Sequence, residues 1–175
     1  SMLAIGVGTA LAWTSPVLPT LDEKSFLPVS EEQGSWIGSL LAMGAIVGAL
    51  PSGTIADRIG RKKALLLLSG PFLLSWTLIV FARAVWMLCI ARFLVGMAVG
   101  AACVLVPSYI AEIATPATRG TLGALFQLFL GAGILMSFVL GAVTSYTVFA
   151  ILCGLVEVIF AGTFIFMPES PAWLI

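Results

Sequence analysis

Histidine and asparagine are both missing from this chain of 175 residues. Without histidine there is no imidazole to shuttle protons or to ligate a metal. Without asparagine there is no acceptor for an N-linked glycan. Charge is scarce too: 9% of the residues are Asp, Glu, Lys or Arg, where a water-soluble domain carries about a quarter. Basic and acidic residues balance at eight each, which gives no reason to expect nucleic acid or a polybasic lipid patch. Cys89, Cys103 and Cys153 are widely spaced in apolar runs and read as small packing residues, neither disulfides nor ligands. No zinc-ligand pair and no activated serine can be assembled. An enzyme, a cofactor and a metal site are therefore not expected.

What the chain has in abundance is apolar length. It is 61% hydrophobic, with a mean hydropathy of +1.16. Its apolar segments are each long enough to cross about 30 Å of hydrocarbon, which predicts an all-α membrane protein. Six transmembrane helices are expected at roughly 2–20, 31–56, 64–82, 86–109, 116–144 and 147–167. The first run is not expected to be a signal peptide, because it lacks a basic start and Pro16 and Pro19 replace the small-residue cleavage site. Half of the eight Lys and Arg gather between the second and third spans, at Arg58, Arg61, Lys62 and Lys63. Arg119 falls on the same side, Lys24 and Arg83 on the other. Clustered cations hold a short loop in the cytoplasm, so both termini are expected there.

Local signals mark the helix starts. Ser30-Glu31-Glu32-Gln33 reads as a capping box with acidic residues in the first turn. Thr115-Pro116 reads as the start of the fifth span, with Pro at the first helical position. Gly34/Gly38, Gly44/Gly48 and Gly96/Gly100 have the spacing that lets helix backbones approach closely in lipid. Ordinary packing within the bundle is the expected use, ahead of a dimer face. Spans one and four both carry early glycines and a late proline: Gly6, Gly8, Pro16 and Gly96, Gly100, Pro107. That pattern suggests two three-helix repeats.

Gly53-Thr-Ile-Ala-Asp57-Arg58-Ile-Gly60-Arg61-Lys62-Lys63 matches the signature G-x-x-x-D-R-x-G-R-K/R-K/R of the major facilitator superfamily. Three further motifs resemble those of its sugar porters: Arg92-Phe-Leu-Val-Gly96 with Gly100, Pro107-Ser-Tyr109-Ile-Ala-Glu112 followed by Pro116 and Arg119-Gly120, and Pro168-Glu169-Ser170-Pro171-Ala172-Trp173-Leu174. Ala172 stands where the family has Arg. The variant Glu-Ile-Ala-Thr-Pro is similar to animal facilitative glucose carriers and insect facilitated trehalose transporters. The resemblance implies a twelve-helix fold of two six-helix halves, of which this chain would be the amino-terminal half, as a fragment or a truncated product. It implies a plasma-membrane protein whose partners are a small-molecule sugar, the bilayer, and a carboxy-terminal half or a second copy.

Gln127 is the foremost candidate for substrate binding. Apart from Gln33 in the first turn of the second span, it is the only side-chain amide within a span, about 16 Å along the helix from Pro116. An amide both donates to and accepts from a sugar hydroxyl, and the resemblance implies a sugar-contacting Gln here. Leu130 and Ile134 share its face. Trp13, Thr14 and Ser15 precede Pro16, which frees a carbonyl near mid-depth; Trp13 is equally readable as an interface anchor. The family's proton-coupled members carry an Asp at the place of Thr14, facing the helix-four Arg, here Arg92. A threonine cannot titrate there, so facilitated diffusion is expected. Glu157 argues the other way, since a charged carboxylate in mid-span costs about 2.5 kcal/mol or more. It is a possible proton site or a structural group. Asp57, Arg58, Arg61, Glu112, Arg119 and Glu169 form a cytoplasmic charge set that in the family latches the two halves. The expected function is half of a facilitative sugar transporter working by alternating access. The alternatives are a proton-coupled symporter half, a self-associated pore, and a six-helix product that regulates a full-length carrier.

Overall fold

The computed structural model describes residues 2–13, 30–81 and 83–167, and among them every regular element is a helix. They are α1 (Met2–Ala12), α2 (Glu31–Ile59), α3 (Arg61–Leu67), α4 (Ser69–Val80), α5 (Val85–Ile113), α6 (Arg119–Val143) and α7 (Tyr146–Phe164). Five helical stretches are long and apolar enough to span a membrane, with α3 and α4 counted as one, Arg61–Val80; the shorter apolar helix Leu3–Ala12 precedes them. The chain is an all-α membrane protein.

Each boundary has a local cause. The capping box of α2 forms as expected: Gln33 N–H donates to Ser30 Oγ (3.2 Å) and Ser30 N–H donates to Gln33 Oε1 (3.1 Å). Gly60 ends α2 at φ 101° and ψ 149°, a region essentially confined to glycine, so α3 can start at once with Arg61. The fifth span starts later than Pro116. Thr115, Pro116, Ala117 and Thr118 form a turn closed by Thr118 N–H and Arg119 N–H on the Thr115 carbonyl, both at 3.0 Å. The Thr115 N–H also donates to Thr118 Oγ1 (3.1 Å). These threonine bonds compete with helix formation, and α6 begins at Arg119.

α5 lies at the centre of the bundle and is its most buried span. It packs on α2 and α4, while α1 packs on α6 and α7, and α4 meets α7. Exchanging spans one to three with four to six maps this pattern onto itself: the pairing of spans two and four becomes that of five and one. Two three-helix repeats are the simplest account. The matching pairs share a device as well. A Cβ on Gly44, Gly48, Gly96 or Gly100 would run into the backbone carbonyl of Phe93, Met97, Leu41 or Ala45 across the α2–α5 contact. Gly8 and Gly133 meet the carbonyls of Leu130 and Ile5 in the same way between α1 and α6. Lipid supplies no hydrophobic drive between helices, so this backbone approach and the dispersion it allows hold the spans together.

Gly48→Ala should therefore cost about 1–3 kcal/mol through overpacking against a backbone that cannot step aside. Gly38→Ala, whose Cβ would meet nothing within 4 Å, is the control. Thermal unfolding in detergent should show a lower midpoint for Gly48→Ala alone. Equal midpoints would remove the glycine contact as a source of stability.

Candidate functional site

Three groups of polar side chains stand out against the apolar bundle. The first is at its basic end, where α2, α3, the end of α5 and the start of α6 converge. Gly60 turns the chain so that Arg61 reaches in two directions. Its Nη2 lies 2.8 Å from Asp57 Oδ1, one helical turn back, and its Nε donates to Glu112 Oε1 at 3.0 Å. The side chains of Arg61 and Glu112 are 18% and 20% exposed, that of Asp57 66%. Arg119 Nη2 donates to the Ala111 carbonyl at 3.0 Å and Lys62 Nζ to the Ile165 carbonyl at 2.6 Å. Arg58 is exposed. Thus Asp57, Arg61, Glu112 and Arg119, expected to act together, meet at one end. Lys62 joins them, and sequence spacing alone did not single it out.

The second group is buried between α1 and α5. Arg92 has no exposed surface, and neither has Trp13. The guanidinium carbon sits 5.1 Å from the centroid of the Trp13 ring, and Nη1 donates to the Ala10 carbonyl at 2.9 Å. Stacking a desolvated cation on indole is worth about 2 kcal/mol, and the same guanidinium also holds a carbonyl in the last described turn of α1. Trp13 thus covers a charge in the interior. Thr14, Ser15 and Glu169 lie outside the described residues.

The third group is at the α1–α7 seam. Glu157 is fully buried, and both of its carboxyl oxygens lack a hydrogen-bond partner among the described residues. It points at Gly6, where any Cβ would collide with Oε1. Thr9, beside it, donates to the Gly6 carbonyl at 2.9 Å. Cys153, one turn before Glu157, meets Thr9. The early glycines of α1 therefore serve two neighbours, Gly6 admitting a carboxyl and Gly8 a helix backbone.

Gln127 lies on none of these. α6 starts at Arg119, so Gln127 stands about 12 Å along it. Its side chain is exposed, while Leu130 and Ile134 are half-buried where α6 touches Gly8. Phe126, Gly133 and Ser137 form the buried face. A cavity of about 580 Å³ lies on the other side of α6, lined by Leu122, Leu125, Phe126 and Phe129 together with residues of α1, α3, α5 and α7. The amide thus sits on an open face of the six-span unit, beside the α1 contact and away from that cavity.

A family model described as "Sugar (and other) transporter" matches residues 11–175. A facilitated glucose transporter of Mus musculus, solute carrier family 2 member 8, is 38% identical over 98% of this chain and 36% of its own length. The facilitated trehalose transporter Tret1 of Polypedilum vanderplanki is 33% identical over all of this chain and 35% of its own. The chain thus spans about a third of the length of these curated relatives. Among solved structures, the inward-open xylose transporter XylE from E. coli superposes with a TM-score of 0.80 at 22% identity, covering 99% of this chain and 48% of that one. A D-xylose-proton symporter gives 0.81 at 21%, covering 99% and 49%. At these identities the structures establish the fold.

The tie at the basic end predicts a measurable coupling. In a double-mutant cycle of Arg61→Gln and Glu112→Gln, unfolding free energies should show about 0.5–1 kcal/mol of interaction, as for a partly exposed ion pair. The coupling should shrink at high salt, and that with Asp57→Asn should be smaller because Asp57 is more exposed. Independent, additive effects at 61 and 112 would show that the bridge contributes nothing.

Proposed function

Because the chain belongs to the sugar (and other) transporter family, we propose that it is the amino-terminal half of a facilitative carrier for a hexose or trehalose, working by alternating access. The observation that carries this reading is Gln127: an amide well inside α6, exposed beside the α1 seam, in a largely apolar bundle. An open face bearing one polar side chain suits a cavity shared with a second six-span unit. Gln127 would donate to and accept from sugar hydroxyls. Leu130 and Ile134 would pack on the apolar face of the ring, and Trp13, Thr14 and Ser15 would form the wall across from them. The second unit would be a carboxy-terminal half or another copy.

The ion pairs at the basic end would bias the carrier between states. Arg61 with Asp57 and Glu112, and the neighbouring Arg58, Arg119 and Glu169, would be paired when that end is closed and solvated when it opens. A contact present in one state and absent in the other shifts the equilibrium by its own free energy. On this reading the basic end and both termini would face the cytoplasm, as clustered cations in a short loop favour, and the chain would lie in the plasma membrane.

Glu157 supports one second reading, proton-coupled symport. A carboxyl buried against α1 with no hydrogen-bond partner among the described residues would carry charge only at great cost, so it would bind a proton whenever water is excluded from it. Against this, the residue at position 14 cannot titrate.

The test is sugar binding and counterflow in liposomes, with and without a proton gradient. Facilitated diffusion predicts trans-acceleration by unlabelled sugar and no accumulation against a gradient of sugar. Gln127→Ala should weaken binding about tenfold, which corresponds to about 1.4 kcal/mol. Unaltered binding would take Gln127 out of the site. Proton-driven accumulation abolished by Glu157→Gln would replace the uniport reading with symport.

A further inference from the structure

Glu157 is a buried titratable group that the facilitative reading above leaves without a task. It faces α1 from α7 with no exposed surface, and both carboxyl oxygens lack a hydrogen-bond partner among the described residues. The residue opposite it, Gly6, has no Cβ where Oε1 lies. The hydroxyl of Thr9 is spent on the Gly6 carbonyl at 2.9 Å, and a hydroxyl has one proton to give. Cys153, buried one turn before Glu157, meets Thr9 across the same seam.

The elements around α7 bring no counter-charge to this place. Among the described residues α1 and α4, its two main neighbours, carry no charged or titratable side chain. From α4, Trp76 stands against Gly154, and its indole N–H is buried without a partner, so it does not reach the carboxyl. α3 and α6 touch α7 only lightly. Their cations, Arg61, Lys62, Lys63 and Arg119, sit at the basic end, where Lys62 meets the Ile165 carbonyl two turns beyond Glu157. Tyr109 of α5 packs on Phe164, also two turns beyond. Arg92 of α5 meets α1 further on, at Ala10 and Trp13. Within α7, Cys153 is the titratable neighbour.

An ionised carboxyl in this seam has two ways out. It binds a proton or it draws in water, because charge without a partner is not borne in the membrane interior. Water enters only if α1 parts from α7. Arg92 holds the Ala10 end of α1, so such a movement is a pivot of the rest. Gly8 and Gly133 lock α1 to α6, and α6 barely touches α5 or α7, so the two helices pivot together. We propose that Glu157 is a proton-dependent seat for α1. Neutral, its carboxyl rests in the notch at Gly6 and keeps α1 on α7. Ionised, it wets the seam and loosens the α1–α6 pair. The closed seam is therefore favoured at acid pH and lost as pH rises. No proton need cross the membrane, which separates this device from symport. On the carrier reading α6 brings Gln127 along, so proton concentration would tune sugar affinity.

Cys153 reports on the seam without any sugar. The full chain in phosphatidylcholine vesicles is treated with N-ethylmaleimide from about pH 5 to about pH 9, a span that takes in carboxylate and thiol titration, and adducts are quantified by peptide mass spectrometry. Thiolate formation raises the reactivity of every cysteine with pH, so the readout is labelling of buried Cys153 relative to exposed Cys103 of α5. That ratio should rise several-fold with pH and fall back on reacidification. Glu157→Gln, neutral at every pH, should hold the ratio at its acid value. Glu157→Met, which fills the notch with no polar group, should do the same and serves where the amide variant folds poorly. A ratio indifferent to pH in the native chain, an equal rise in both Glu157 variants, or a rise that accompanies loss of helical circular dichroism would each overturn the proposal. None of these outcomes bears on sugar binding, which the counterflow assay reads separately.

Discussion

Close backbone contact at glycine is the constraint from which the rest of this bundle follows. Between two apolar helices in lipid, burying another leucine gains nothing, because the acyl chains it leaves are as apolar as the helix it joins. What remains is dispersion at short range, and that requires axes near enough for backbone to meet backbone. Gly44, Gly48, Gly96 and Gly100 provide this between α2 and α5, and Gly8 and Gly133 between α1 and α6. The polar contacts are consequences. With α2 locked on α5, the turn at Gly60 brings the start of α3 to the end of α5, and Arg61 finds Glu112 51 residues later in the chain.

Inside the bundle, charge is tolerated only where geometry answers it. Arg92 is the instructive case, buried completely yet held by an indole face and a carbonyl at the end of α1. Such an arrangement ties the position of α1 to α5 through a side chain, whereas α1 and α6 are tied through backbone. Glu157 is answered differently, by space: Gly6 leaves room for a carboxyl that finds no donor among the described residues. A helix held near its carboxy-terminal end by Arg92, along one face by Gly133 and along another by the Glu157 carboxyl is well placed to respond to changes at any of the three.

Much of this was legible in the chain, and the rest fails for identifiable reasons. Apolar length announces the spans, and the capping box at Ser30 is a purely local bond pair, so both are readable without the fold. Three of the four motifs lie among the described residues, and there they supply the Gly60 turn, the Arg61–Glu112 bridge and the buried Arg92. Pro116 misleads as a helix start because Thr115 and Thr118 bond each other first, an outcome that propensity at one position does not carry. Trp13 could be read as pocket or anchor until Arg92 was found against it, 79 positions away in sequence. The cavity behind α6 had no sequence signal at all. It arises from the divergence of α6 from α5 and α7, and a divergence between helices belongs to no single residue. Gln127 was conspicuous by its chemistry, but which way it faces depends on how α6 is turned by Gly133 and Phe126.

The weakness of the ties at the basic end is itself informative. A pair of partly exposed charges contributes about 1 kcal/mol or less, far too little to hold a membrane bundle together. The glycine contacts already do that, and they lie within the six-span unit. An interaction of that size is, however, well matched to biasing two conformations that differ by a few kcal/mol. A deeply buried network would lock one state, because breaking it would leave uncompensated charge. Under the proposed alternating access, rigidity would belong to the glycine-packed pairs and reversibility to the solvated charges. The separation between the two in this chain follows that division: backbone contact in the membrane interior, and ion pairs at 18–66% exposure where water can replace them.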